Sequence, residues 1–173
     1  MKLAGDAPLI RKAIASLQAG LPAQIAVFNA EAANQVDLLE PAVIHFGGTD
    51  SLSANAFPQL EVAAMDGLTG AFDLDRTEFD HDVAVNVVAW QECLTGEVSQ
   101  AYEMALGYRR AVCEVLLVKD AFGAEVEVAQ EGGLTWRIDV LPFEPTDDGR
   151  EFRKWRVPTF LRFRLETVER FSS

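Results

Sequence analysis

Cysteine, histidine and basic side chains are all scarce in this 173-residue sequence, and each scarcity removes a class of function. The two cysteines, Cys93 and Cys113, have no C-x-x-C spacing, which excludes a disulfide scaffold and a structural zinc site and predicts two buried, reduced thiols. Only His45 and His81 could serve as histidine bases, and no G-x-S-x-G elbow is present, so a hydrolase built on a serine or cysteine nucleophile is not expected. Lys and Arg total 15 against 27 Asp and Glu, a formal charge of -12. A chain of that sign repels nucleic-acid backbone, whose partners present clustered cations to the phosphates.

Long apolar runs are also missing. The clearest, Val83 to Trp90, is interrupted by Asn86 and is far shorter than the ~20 residues needed to cross a bilayer, so no membrane partner is expected. Met1 to Asp6 carries one lysine and no apolar stretch, so no secretory signal is expected and cytosolic synthesis follows.

What is present is the composition of a folding chain: 49% hydrophobic and 24% charged residues, in a length that suits one domain spanning residues 1–173. Asp6 and Pro8 read as a helix start, and Leu9, Ile10, Ala13, Ile14 and Leu17 form one apolar face of a helix predicted to stop near Gly20. Pro22 to Ala33 is predicted as a second short helix, followed by strand ends and an irregular loop from Pro41 to Pro58. Gln59 to Met65 reads as a strand, Asp73 to Glu78 as an acidic loop, and Phe79 to Trp90 as the strongest strand, with alternate valines on one face. Thr95 is the expected cap of a long helix whose stripe is Val98, Ala101, Tyr102, Ala105, Tyr108, Val112, Val115 and Leu116, ending near Gly123. Two closing strands, Leu134 to Phe143 and Trp155 to Arg170, complete the order. Strands gathered around one long helix, with no repeating crossover unit, predict an α+β single domain: an antiparallel or mixed sheet with the long helix and the N-terminal helices on one face.

Candidate chemistry fails on spacing. In Asp80-His81-Asp82 strand alternation sends the histidine to one face and the aspartates to the other, so the three cannot converge on a metal, although Asp80 and Asp82 could share a cation. Asp73-Leu74-Asp75 opens like a calcium loop, but Glu78 occupies the position that needs glycine and Ala84 the one that needs glutamate. Gly47-Gly48-Thr49 and Gly132-Gly133 lack a Walker lysine and a dinucleotide fingerprint and read as turns. No spacing singles out a glycosidase pair of carboxylates. No cofactor, metal or catalytic residue is assigned, and no enzyme is expected. The basic residues are concentrated late: Arg153, Lys154, Arg156, Arg162, Arg164 and Arg170, with Arg162, Arg164 and Glu166 opposite Leu161, Phe163 and Leu165 on one strand. This ladder suits pairing with an acidic neighbouring strand or subunit, with a nucleic-acid groove as the other reading.

The stretch Phe57-Pro58-Gln59-Leu60-Glu61-Val62, the strand His81 to Val88 and the helix phrase from Tyr102 to Val112 resemble the tail-terminator proteins of long-tailed bacteriophages, in that order and with the same surrounding layout. The resemblance implies a structural virion protein: a six-membered homo-oligomeric ring at the head-proximal end of the tail, touching the tail-tube protein on one side and the head-tail connector or stopper on the other. Genomic DNA would pass through without specific binding, as the acidic balance suits. Residues 32–55 would then be a possible insertion, and a neighbouring stopper or head-completion protein is the alternative within the same class. The loops Gly67 to Glu78 and Phe143 to Lys154 become the candidate ring contacts, with Asp73, Asp75, Glu78, Arg153, Trp155, Arg162 and Arg164 as candidate interface residues and Trp155, Phe152 and Phe171 as apolar anchors. From a different class, a small ligand-binding or enzyme domain using Asp80, Asp82 or the arginines is the competing expectation.

Overall fold

The computed structural model describes residues 6–47, 57–69, 78–124 and 126–170. Two helices, α1 (Asp6–Ala30) and α2 (Val98–Leu116), lie against one face of a six-stranded sheet, and a three-stranded sheet stands beside it, giving a single α+β domain with no closed barrel. The main sheet runs β1 (Val43–Phe46), β2 (Gln59–Thr69), β3 (Glu78–Trp90), β9 (Thr159–Arg170) and β5 (Val126–Val128), with β6 (Leu134–Ile138) also paired to β9. Among the described residues only the β1–β2 pair is parallel. The small sheet is β4 (Glu92–Leu94), β8 (Phe152–Arg156) and β7 (Leu141–Pro145), all antiparallel.

Period-2 alternation decides which side of the main sheet is core. Leu60 and Val62 of β2, Val83, Val85, Val87 and Ala89 of β3, and Leu161, Phe163 and Leu165 of β9 are buried together under Leu17, Leu21 and Ile25 of α1 and Tyr108, Val112 and Val115 of α2. The valine strand and the split of the last strand into apolar and arginine faces therefore form as the sequence predicts.

Several boundaries differ. The predicted stop at Gly20 and the separate second helix are replaced by one helix through Ala30, with Pro22 inside it. Proline there removes one N–H, a loss of up to about 3 kcal/mol in a helix interior, but Leu17, Leu21, Ile25 and Phe28 continue a single buried stripe that outweighs it. Gly20 is a close-approach position: a Cβ there would stand 3.1 Å from a Val115 methyl, so its small size lets α1 lie against α2. The long helix ends at Leu116 rather than near Gly123, Tyr102 is exposed, and Thr95 does not cap it; Glu97 is the residue before the first turn. Each predicted closing strand is two. Residues 139–140 separate β6 from β7, and Val157-Pro158 separates β8 from β9, Pro158 having no N–H with which to continue a ladder. β1, β4 and β5 are short strands without a clear sequence signal of their own.

The described part of the segment 32–55 is built into the domain. Leu38 is buried at 2% exposure in the main core, its backbone N–H donates to Asn29 Oδ1 at 2.8 Å, and its carbonyl accepts from Asn29 Nδ2 at 2.9 Å. Tyr108, fully buried, donates its hydroxyl to the Leu39 carbonyl. Burial pushes the Tyr108 hydroxyl pKa far up, so it stays protonated as that donor.

Candidate functional site

The helices cover one side of the main sheet, and the opposite side holds a hollow of about 460 Å³. Its floor comes from β2 and β3, whose register sets Glu61 against Val88 and Ala63 against Asn86. Phe160 and Arg162 of β9 and Thr135 and Arg137 of β6 form the far wall. The walls are aromatic and aliphatic, with the Trp90 and Phe160 rings edge to face at 6.1 Å. Glu61 is 6% exposed, and Trp90 Nε1 donates to its Oε2 at 3.3 Å. Burial raises the Glu61 carboxyl above its ordinary value, opposed by the Trp90 hydrogen bond and by the charge of nearby His45. His45 Nε2 itself lies 2.9 Å from Gln59 Oε1. At the rim the Arg137 guanidinium sits 4.5 Å over the Phe160 ring. The hollow thus offers apolar walls, a carboxyl at the floor and cationic side chains at the mouth. Among the described residues it is lined by no serine, cysteine or histidine.

The second feature is the small sheet. One side packs on α2 through Cys93, Ala101, Ala105 and Val157, with Trp155 against them and its Nε1 donating to Thr95 Oγ1 at 3.1 Å. Burial pushes the Cys93 and Cys113 thiols up, and both are free cysteines, which makes them poor nucleophiles. The other side carries Lys154 and Arg156 of β8. Lys154 pairs with Glu144 at 3.0 Å and Glu92 at 3.8 Å, and Arg156 Nε meets Glu92 Oε2 at 3.6 Å. Arg156 also lies 3.6 Å over Phe143. Arg153 pairs with Asp147 at 2.7 Å.

The sequence-predicted interface residues are therefore dispersed. Asp73 and Asp75 lie outside the described residues, as does Phe171, and Glu78 begins β3 opposite Arg170 rather than ending a loop. The loop expected from Phe143 to Lys154 is a hairpin, β7 and β8 joined by a turn over residues 146–151. The single arginine ladder is divided: Arg162 and Arg164 lie on the uncovered face of β9, across from Asn86 and Ala84, while Arg153 is exposed on β8 in the other sheet and Trp155 is half-buried there. For the β8 cations the acidic partners are within the chain itself, on adjoining strands and in the hairpin turn. Among the described residues no three His, Cys, Asp or Glu gather where they could hold a metal ion, and no helix is long and apolar enough to cross a membrane.

Glu61, Trp90, Phe160 and Arg137 were not legible as a group. Each reads singly as the solvent side or the end of a strand, and only the β2–β3–β9–β6 register assembles them. The weak available signal was Glu61 alternating with Leu60 and Val62, which fixes its face but not its burial.

No family model matches the chain, and no curated protein matches it. Solved structures give 29 matching chains; one, whose name states no function, is 18% identical, covers 88% of this chain and 94% of its own length, and superposes with a TM-score of 0.29. A likeness that low carries no functional weight, so function rests on the chain's own residues.

Proposed function

We propose that this chain is a structural, ring-forming virion protein of the tail-terminator kind, which ends tail-tube polymerisation at the head-proximal end of a phage tail and joins the tail to the head connector. The observation that carries the reading is the concentration of exposed apolar side chains on and beside the small sheet: Leu94, Val140, Leu141, Phe143 and Phe152 are 38–52% exposed. Scattered surface apolar residues need no explanation, but a set gathered on and beside one small sheet marks an interaction surface. The order of a first helix, the strands β1–β4, the long helix and the closing strands β5–β9 supports it, as does the -12 charge, which keeps a DNA-passing channel from adhering to its cargo. The work of such a part is geometric: it needs rigid sheets and sticky edges, with no turnover.

Light scattering on a gel-filtration column, with negative-stain microscopy, tests this. A ring of about six chains, or a monomer that assembles only on added tail tubes, supports the proposal. A strict monomer or dimer that ignores tail tubes overturns it. The hollow around Glu61 favours a second reading, a small ligand-binding domain, whose signature is a monomer with saturable binding of a small molecule.

A further inference from the structure

Ring assembly needs two different surfaces on each copy, because a head-to-tail contact pairs one patch with another and closes only after several copies. This chain offers two such surfaces. The first is the hollow on the uncovered face of the main sheet, about 460 Å³ with Val88, Trp90 and Phe160 in its walls. That is within the ~300–1,000 Å³ range of pockets that bury apolar groups. The second is the β7–β8 hairpin, which bears the half-exposed rings of Phe143 and Phe152. Five residues of strand at about 3.4 Å each carry its turn roughly 17 Å from the joint with the main sheet.

Charge matches the two. The hairpin turn from Thr146 to Glu151 holds three acids, Asp147, Asp148 and Glu151, against Arg150, while Asp147 is paired with Arg153 and Glu144 of β7 with Lys154. Asp147 is 94% exposed even while paired with Arg153. The mouth of the hollow carries Arg137, 69% exposed and held to Asp139 only at 3.4 Å, and Arg162 on the exposed face of β9. Opposed patches of this kind steer partners into register, and their apolar centre supplies affinity.

We infer that the β7–β8 hairpin of one copy docks into the Glu61–Trp90–Phe160 hollow of the next, its acidic tip against the arginine rim, as the heterologous contact of the assembly. The inference rests on the ring-forming reading and names the surfaces that reading leaves open. The occupant is a second copy of this chain; a tail protein or a small molecule in the hollow would be a different result.

Two variants separate the surfaces. Ala63→Trp fills the hollow from its floor and leaves the hairpin intact. Phe152→Asp spoils the hairpin and leaves the hollow intact. Circular dichroism checks that each folds, and light scattering reads assembly of the full chain. The expected result is that wild type assembles, each variant alone weakens self-association at least about tenfold, and the two mixed form a one-to-one dimer, since the intact hairpin of one still fits the intact hollow of the other. A wild-type ring with both variants assembling normally overturns the inference and leaves the ring reading standing. Two monomeric variants that do not pair on mixing also overturn it. A wild type that assembles neither alone nor on added tail tubes overturns both together. Where Ala63→Trp fails to fold, Arg137→Glu takes its place at the rim, with the same outcomes.

Discussion

Leu38→Ala tests whether the segment beginning at Ala32 belongs to the core. Leu38 lies between elements, where substitutions ordinarily change stability by no more than about 0.5 kcal/mol, yet it is 2% exposed and packs into the main core. The substitution removes three carbon atoms. At about 0.8 kcal/mol per buried methylene the lost transfer energy is about 2.4 kcal/mol, and the unfilled space raises the total to about 2.5–4 kcal/mol. A second substitution tests the same contact from the other side. A Cβ added at Gly107 of α2 would stand 2.8 Å from Phe28 Cζ and 2.9 and 3.0 Å from the Leu38 methyls. Gly107→Ala gains about 1 kcal/mol of helix propensity and is opposed by about 1–3 kcal/mol of overpacking, so it is neutral to destabilising by about 1–2 kcal/mol in the wild type. Once Leu38 is alanine, two of those three contacts vanish and the Phe28 ring has room to turn, so Gly107→Ala becomes stabilising. The expected coupling between the two changes is about 1–2 kcal/mol. Urea unfolding followed by circular dichroism measures all four proteins, at one fixed protein concentration because assembly adds concentration-dependent stability. A Leu38→Ala loss below about 1 kcal/mol with an unchanged m-value, or strict additivity of the pair, refutes the packing described here.

Two other outcomes follow from buried polar groups. Because burial raises the Glu61 carboxyl above 4.5 in the folded state, folding binds that proton more tightly than the unfolded chain does, and the associated stability is full at low pH and lost as pH rises through the folded value. Glu61→Gln keeps an acceptor for Trp90 Nε1 and removes the titration, so its advantage over wild type grows as pH rises above about 4.5 and then levels out; identical pH slopes in the two proteins contradict this. Tyr108→Phe leaves the Leu39 carbonyl without its donor and costs about 1–3 kcal/mol, with an unchanged melting temperature as the contrary result.

The α+β class, the buried stripe of α2 and the two faces of β3 and β9 were written in periodicity, which depends only on neighbours along the chain. Val83, Val85 and Val87 must share a face in any strand, and so must Leu161, Phe163 and Leu165. Punctuation was less informative, because glycine and proline state what the backbone permits and not what packing requires. Gly20 and Pro22 permit a stop, but the helix continues because Leu21, Ile25 and Phe28 extend a stripe that α2 and the sheet bury. Gly107 is where Leu38 and Phe28 press against α2. The hollow was invisible for a related reason. Glu61, Trp90, Arg137 and Phe160 come from four strands, and only the order β2-β3-β9 with β6 beside β9 sets them side by side. Local sequence determined the faces of each element; the pairing of distant strands, whose partners lie up to about a hundred residues apart, decided which faces meet and therefore where a site can be.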